Sequence, residues 1–340
     1  MIRLHPAKWW IGKKNSDKIQ CLLCPRNCII DVGQRGFCNI RENINGKLIT
    51  RGYGFPTGFQ IDPIEKKPLY HFYPSQNILS FGTVGCNLDC KFCQNWHLTK
   101  SADLYYSSPK YISPETVIDY CKKNNLGMIA FTYNDPNIFG EYIIDVSKLA
   151  KENKIKTVMV TAGYVNPEPR KEIYEYIDAV NIDLKSFSEK FYKKFCGAKL
   201  ETVLNTILWL HNQRNIWMEI TTLLIPNEND SKMEIENLTN WIVTNLGTDV
   251  PLHFSAFYPS FKMTNYPPTD VSILLTAKQI AQSKGIKYVY LGNVDLKNSQ
   301  DTFCPKCKSK VIERNRYSTN ILRLNKTVCA KCTETIPGRF

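Results

Sequence analysis

The chain has 340 residues, 43% of them hydrophobic, with 44 Lys and Arg against 31 Asp and Glu for a formal charge of +13. That composition supports one large domain with small appendages, and no apolar run reaches the length of a membrane span. The start, Met1-Ile2-Arg3-Leu4-His5-Pro6, has no signal-peptide core, so the expected location is the cytoplasm, with no membrane partner.

The excess lysines are scattered, as at Lys122-Lys123 and Lys193-Lys194, without arginine-rich runs and interleaved aromatics. They read as solvated helix faces rather than a nucleic-acid surface. Thirteen cysteines are too many for an ordinary cytosolic enzyme to keep idle, and in a reducing compartment clustered spacing argues for metal ligands over disulfides. Only Cys121, mid-helix among apolar positions, and Cys196 fall outside the clusters. Cys121 reads as core; Cys196 reads as a small buried hydrophobe or as a redox or hydrogen-donor thiol.

Residues 1–76 form a Cys-rich segment with little regular periodicity. Cys21, Cys24, Cys28 and Cys38 lie within eighteen residues, with a glycine-containing turn at Gly33–Gly36. Four soft ligands so placed can close a tetrahedral zinc site or hold an auxiliary iron–sulfur cluster.

From residue 77 to 298, apolar strands alternate with amphipathic helices. The spacing predicts strands over Ile78–Phe81, Met128–Thr132, Thr157–Thr161, Ala179–Asp183, Trp217–Leu224, Leu252–Phe257 and Tyr288–Leu291. Helices are predicted over Ser113–Lys123, Phe139–Asn153, Pro169–Tyr176, Leu200–Asn212, Ser231–Leu246 and Thr269–Lys284. This is an α/β pattern of βαβ units with a parallel sheet, and six or so units suggest a partial (β/α)6 TIM-like barrel with functional groups at the carboxyl ends of its strands.

The first of those strands runs into Gly82-Thr83-Val84-Gly85-Cys86-Asn87-Leu88-Asp89-Cys90-Lys91-Phe92-Cys93. Cys86, Cys90 and Cys93, with aromatic Phe92 before the last, supply three thiolates from one tight loop. A [4Fe-4S] cluster held by three thiolates keeps one iron open to a non-protein ligand, the arrangement used for reductive cleavage of S-adenosylmethionine to a 5′-deoxyadenosyl radical. The competing reading is a zinc knuckle closed by His97.

The second strand ends in Thr132-Tyr133-Asn134-Asp135-Pro136. A carboxylate there can hold an ammonium, although Asn-Asp-Pro is also good turn chemistry. In Asn181-Ile182-Asp183-Leu184-Lys185, alternation sends Asn181, Asp183 and Lys185 to one face. An Asp–Lys pair lining the cofactor, or a simple structural ion pair, would satisfy them. Glu219 shares a face with Thr221 and points to the barrel interior or to the surface. His253 is a lone histidine at the start of the sixth strand, and Asn293 ends the last strand.

Residues 299–340 form a separate module. Cys304, Cys307, Cys329 and Cys332 make two C-x2-C pairs with twenty-one residues between them, a zinc-ribbon spacing. Val311–Glu313 and Asn320–Leu324 read as hairpin strands. The module caps the barrel or binds a partner.

Taken together, these segments resemble the AmmeMemoRadiSam-system radical SAM enzymes, relatives of the pyruvate formate-lyase activating enzymes. The resemblance is carried by Ala7-Lys8-Trp9-Trp10, Cys21–Cys28, Gly85–Leu88, Cys93–Trp96, Thr132–Pro136, Asp183–Lys185, Ile225-Pro226 with Asn229-Asp230, Pro251–Phe254, Tyr290–Val294 and Ile336–Gly338. The family usually has Glu where this chain has Asp135, and an acidic residue is common at the His97 position.

The resemblance implies that Cys86, Cys90 and Cys93 bind the [4Fe-4S] cluster. It puts Asn134 and Asp135 by the methionine end, with Asp183, Lys185 and His253 around the rest of S-adenosylmethionine. It implies an electron donor such as a ferredoxin or flavodoxin, and association with Memo-like and Ammecr-like proteins. The expectation is a radical enzyme abstracting hydrogen from an unidentified substrate, in the manner of an activating enzyme acting on a partner protein. The alternative is a zinc-rich nucleic-acid- or protein-binding module without radical chemistry.

Overall fold

The computed structural model describes residues 4–100, 110–315 and 318–340. The chain divides into two compact units, one of residues 1–62, 78–178 and 196–198, the other of 63–77, 179–195 and 199–340.

In the first unit, strands β1 (Asn77–Gly82), β2 (Met128–Phe131) and β3 (Lys156–Thr161) pair in parallel, with Leu79 opposite Ile129 and Phe131 opposite Met159. Their core-facing residues are almost wholly buried, as expected of parallel strands covered on both faces. Helices α1 (Pro114–Lys123) and α2 (Gly140–Glu152) connect them, and α3 (Pro167–Tyr174) follows β3. The start of α1 follows the sequence signal: Pro114 occupies the first turn and the Thr116 N–H donates to Ser113 Oγ at 3.3 Å. Gly140 is required by packing, because a Cβ there would lie 2.6 Å from Ile173 Cδ1 on α3.

The cysteine-rich start folds onto this unit as short antiparallel strands. His5–Pro6 pairs with Lys47–Thr50, which pairs with Arg41–Ile44; Trp10–Gly12, Ile19–Cys21 and Ile29–Ile30 form a second small sheet. Strands of this length hold too few residues to show an alternating pattern, so they are invisible to periodicity.

The second unit holds the parallel strands β4 (Ala179–Asp183), β5 (Trp217–Leu224), β6 (Leu252–Ala256) and β7 (Val289–Gly292). Helices α4 (Leu200–His211), α5 (Lys232–Leu246) and α6 (Val271–Ser283) alternate with them. Ser231 caps α5 and Asp270 caps α6 through their side-chain oxygens, which moves both starts a residue or two past the expected ones. The C-terminal residues add β8 (Thr302–Phe303), β9 (Lys310–Asn315) and β10 (Ser318–Ile321) as an antiparallel sheet, then the pair β11 (Leu324–Asn325) and β12 (Val328–Cys329). Among the described residues, no helix is long and apolar enough to cross a membrane.

Candidate active site

The loop after β1 is fixed by close backbone approach. Gly85 has φ +83°, and a Cβ there would sit 2.1 Å from the Cys38 carbonyl oxygen; a Cβ at Gly82 would sit 2.2 Å from the Thr132 carbonyl. The loop is then tied down on several sides. Asn87 Nδ2 donates to the Tyr164 carbonyl at 2.7 Å, and the Asp89 N–H donates to the Cys196 carbonyl at 2.8 Å. Arg26 donates to the Asn87 and Gly197 carbonyls.

Cys86, Cys90 and Cys93 are half-buried on this loop and Phe92 is buried. The Leu88 N–H points at Cys86 Sγ from 3.5 Å, and the Asp135 backbone N–H also serves that sulfur. Burial, and then the Asp135 carboxyl, push the Cys86 thiol up to about 12, so a thiolate here needs a cation. His97 is exposed and its ring lies on Trp96 at 3.6 Å between centroids.

Beyond β2, Asn134 Nδ2 donates to Thr83 Oγ1 at 2.9 Å and to the Gly85 carbonyl at 3.0 Å. Asp135 Oδ1 accepts from the Asn137 N–H at 3.1 Å, Asn137 Nδ2 at 2.7 Å and Thr161 Oγ1 at 3.0 Å. Asn134 Oδ1 and Asp135 Oδ2, both buried, have no hydrogen-bond partner. Burial raises the Asp135 carboxyl despite its donors. Two orphaned acceptors behind the three-cysteine loop are what a cationic donor would satisfy. Asn137 and Thr161 went unrecognised in the sequence. Thr161 ends β3, so the strand-end argument that singled out Asn134 and Asp135 would have found it.

Cys21, Cys24, Cys28 and Cys38 line one pocket with Arg41 and Asn87. The segment folds through a tight knuckle in which the Cys21 N–H donates to the Cys28 carbonyl at 2.9 Å and Asn27 takes φ 45°. Burial raises the thiols of Cys21 and Cys24 and pushes Cys38 up to about 11. Cys121 and Cys196 are fully buried, and the Cys196 carbonyl is the one that accepts from Asp89 of the central loop.

In the second unit one polar row crosses four strands: Asp183 is opposite Thr221, Thr221 opposite His253, and His253 opposite Tyr290. Lys185 Nζ lies 3.0 Å from Asp183 Oδ2, and the Lys185 carbonyl accepts from Asn229 Nδ2 at 2.7 Å. Asn229 Oδ1 accepts from the Ile225 N–H at 2.6 Å, so the Ile225-Pro226 and Asn229-Asp230 pair of motifs clamps the end of β4. Asn181 donates to the Pro68 carbonyl at 2.7 Å. Asn293, at φ 57°, donates to the Ala256 carbonyl at 3.2 Å.

Glu219 is fully buried in the interior. Its Oε1 accepts from the Tyr70 N–H at 2.9 Å, the His71 N–H at 2.8 Å and Trp217 Nε1 at 3.0 Å. Its Oε2 faces His253 Nε2 at 2.7 Å. Burial alone would raise this carboxyl, but the His253 hydrogen bond, the two histidine rings and the Tyr70 N–H outweigh it and hold Glu219 below the usual carboxylate range.

Cys304, Cys307, Cys329 and Cys332 bring their sulfurs within 4.8 Å of one another, with Cys304–Cys332 at 3.5 Å and Cys307–Cys329 at 3.7 Å. Four sulfurs about 2.3 Å from one central ion would be spaced this way. Ser309 Oγ, 3.0 Å from Cys307 Sγ, and the Ser309 N–H lower the Cys307 thiol to about 6. Cys304 and Cys329 sit in a core with Tyr70, Tyr288, Tyr290, Val311, Ile312 and Ile336.

Residues 81–238 match the radical SAM superfamily. An uncharacterized protein of Methanocaldococcus jannaschii is 40% identical over 95% of this chain and 96% of its own length. The pyruvate formate-lyase-activating enzyme of Clostridium pasteurianum is 28% identical over 46% of this chain and 66% of its own. In fold, the chain is similar to a radical SAM methyltransferase from Sphaerobacter thermophilus, with a TM-score of 0.52 at 12% identity over 85% of this chain and 76% of that one.

Proposed function

Because this chain is an enzyme of the radical SAM superfamily, we propose that Cys86, Cys90 and Cys93 hold a [4Fe-4S] cluster at which S-adenosylmethionine is reductively cleaved. The consequence is hydrogen abstraction from a substrate carried by a partner protein, as suggested by the likeness to an activating enzyme. The same reading makes the alternating strands and helices a partial (β/α)6 barrel.

The observation that carries this reading is the pair of orphaned acceptors, Asn134 Oδ1 and Asp135 Oδ2, behind a loop of three cysteines. When bound, the cluster supplies one low-potential electron to the sulfonium, and carbon–sulfur cleavage yields the hydrogen-abstracting radical. The chain's own residues supply position. Asn137 and Thr161 hold Asp135 Oδ1 so that Oδ2 is presented for the ammonium of the methionine end. Asn134, tied to Thr83 and Gly85, keeps the cysteine loop in register with that carboxylate. The N–H groups of Leu88 and Asp135 at Cys86 would tune the cluster's potential. By resemblance, Asp183, Lys185 and His253 serve the rest of the cofactor.

We read the C-terminal cysteines, whose sulfurs lie within 4.8 Å of one another, as a zinc site, and, from their spacing in the sequence, Cys21, Cys24, Cys28 and Cys38 as a second metal site holding zinc or an auxiliary cluster. An electron donor of the ferredoxin or flavodoxin kind belongs to the proposal, as does association with Memo-like and Ammecr-like proteins, which rests on the sequence resemblance alone. The radical SAM match favours this enzyme over a zinc-binding module without radical chemistry.

The test is 5′-deoxyadenosine formation by anaerobically reconstituted protein with dithionite and S-adenosylmethionine, with iron counted in parallel. Wild type is expected to turn over and Cys90→Ala to lose both turnover and iron. Wild type that takes up no iron at this loop would sink the reading.

A further inference from the structure

Residues 299–340 carry nine Lys and Arg against three Asp and Glu, +6 of the chain's +13. Two of those carboxylates meet one lysine: Lys310 Nζ lies 2.8 Å from both Asp301 Oδ2 and Glu313 Oε1. Arg314 turns inward and donates to the Tyr70 carbonyl at 2.6 Å. Lys306, Lys308, Arg323, Lys326 and Lys331 are exposed instead, and none pairs with a carboxylate among the described residues.

These five cations sit on segments that touch one another. The N–H groups of Leu322 and Arg323 both donate to the Val311 carbonyl, at 2.9 and 3.2 Å. The Arg323 carbonyl accepts from the Ala330 N–H at 2.9 Å, next to Lys331. Lys326 is in the turn between β11 and β12, whose Leu324 and Cys329 stand opposite each other. Cys307 Sγ is 3.7 Å from Cys329 Sγ, which brings the loop of Lys306 and Lys308 alongside. Balancing a metal does not account for them all, because four thiolates around a divalent ion leave about two negative charges.

β10 extends the same surface. Among the described residues it pairs with β9 alone, so its outer edge is a row of unpaired backbone groups. Such edges are ordinarily blunted by charge, proline or a bulge, and Ser318-Thr319-Asn320-Ile321 has none of these. Beside the cations, Ile321 is 48% exposed and Leu322 50%. An apolar centre with a charged rim is how protein interfaces are built, whereas nucleic-acid contacts are more polar and single strands stack on aromatic rings. No aromatic side chain is exposed among the described residues of 299–340. A second copy of this chain would set like charges against like.

We propose that this surface docks an extended acidic segment of a partner protein. The segment adds as a further strand at β10, rests an apolar side chain on Ile321 and Leu322, and turns its carboxylates to Arg323, Lys326 and Lys331. This binding does not depend on the function proposed above.

The full chain, prepared anaerobically with its metals, is titrated at low salt by fluorescence anisotropy with four labelled probes. One is a peptide of alternating glutamate and valine, and the second has glutamine in place of glutamate. The third is the acidic peptide with its backbone N-methylated, and the fourth is an oligouridylate of about twenty nucleotides. The acidic peptide should bind at least about tenfold tighter than the glutamine peptide and weaken as salt rises. N-methylation should cost a similar factor, because it removes the ladder hydrogen bonds. Leu322→Ser, and Arg323→Gln combined with Lys326→Gln, should each weaken the acidic peptide by about fivefold or more at unchanged zinc content. The comparison of probes on the wild-type chain stands without either variant. Acidic and glutamine peptides that bind alike, acidic peptide that does not bind, or indifference to N-methylation overturns the inference. Oligouridylate bound more tightly than the acidic peptide at the same salt also overturns it, and makes the surface one for nucleic acid.

Discussion

Arg41 and Glu141, one hundred residues apart, form an ion pair almost wholly removed from water, with Nη2 donating to both carboxylate oxygens at 2.7 Å. Arg41 Nη1 also donates to the Lys8 carbonyl at 3.1 Å, and the Lys8 N–H donates to Glu141 Oε1 at 2.8 Å. The pair pins the cysteine-rich start to α2, and its arginine lines the pocket of Cys21, Cys24, Cys28 and Cys38. Removing one partner strands a buried charge, so Arg41→Leu or Glu141→Leu should each cost roughly 3–5 kcal/mol, with the double variant costing much less than the sum. Chemical denaturation of the four proteins decides; additive losses would mean the pair is not coupled.

Gly85 carries a steric prediction. Gly85→Ala must hold a side chain at φ +83° and push it into the Cys38 carbonyl. The backbone alone costs about 1–2 kcal/mol, and the overlap adds to it. Gly127→Ala, where a Cβ meets nothing within 4 Å, is the control. Iron content after reconstitution should fall in the first variant and stay level in the second.

Asp135→Asn keeps size and removes charge. If Oδ2 receives the cofactor's ammonium, the KM for S-adenosylmethionine should rise by roughly ten- to a hundredfold, the worth of a hydrogen bond between charged groups. An unchanged KM would assign Asp135 to turn chemistry alone.

Metal removal has a local signature. If the four C-terminal sulfurs hold zinc and the central loop iron, as proposed, Cys307→Ser should lose the zinc and keep the iron. Near-ultraviolet circular dichroism should report the loss, because Cys304 and Cys329 pack with Tyr70, Tyr288 and Tyr290. A variant with full zinc and an unchanged tyrosine signal would contradict a four-sulfur site.

His71 gives the pH dependence its sign. Burial lowers its pKa from 6.5 to about 4. Nδ1 lies 2.7 Å from the Pro337 carbonyl and Nε2 2.6 Å from the Tyr290 hydroxyl, an arrangement that suits the neutral ring. Below about 6.5 the unfolded chain binds a proton that folded His71 refuses. This contribution to stability is therefore complete above 6.5 and is lost as pH falls toward 4. Denaturant midpoints measured across that window should slope less in His71→Phe than in wild type, and an equal slope would exonerate His71.

Much of this was legible in the sequence. The alternation that predicted β4 put Asn181 and Asp183 on one face, and the structure keeps them there, because a strand's period of two is a property of the backbone alone. The C-x2-C pairs at 304–307 and 329–332 set the ligand spacing, and tertiary folding brings all four sulfurs together.

Partners were not legible. Glu219 and His253 read as a lone carboxylate and a lone histidine until the register of β5 and β6 set them side by side. Asp135 read as a carboxylate for an ammonium or as turn chemistry, and only the fold brought Thr161 from β3 to hold one oxygen and leave the other bare. The sequence by itself determined which residue types stand at which spacing and which face of an element they take, since those follow from local geometry. Only the tertiary structure decided which of them meet and which buried atoms stay unmatched, because that depends on contacts between segments far apart in the chain.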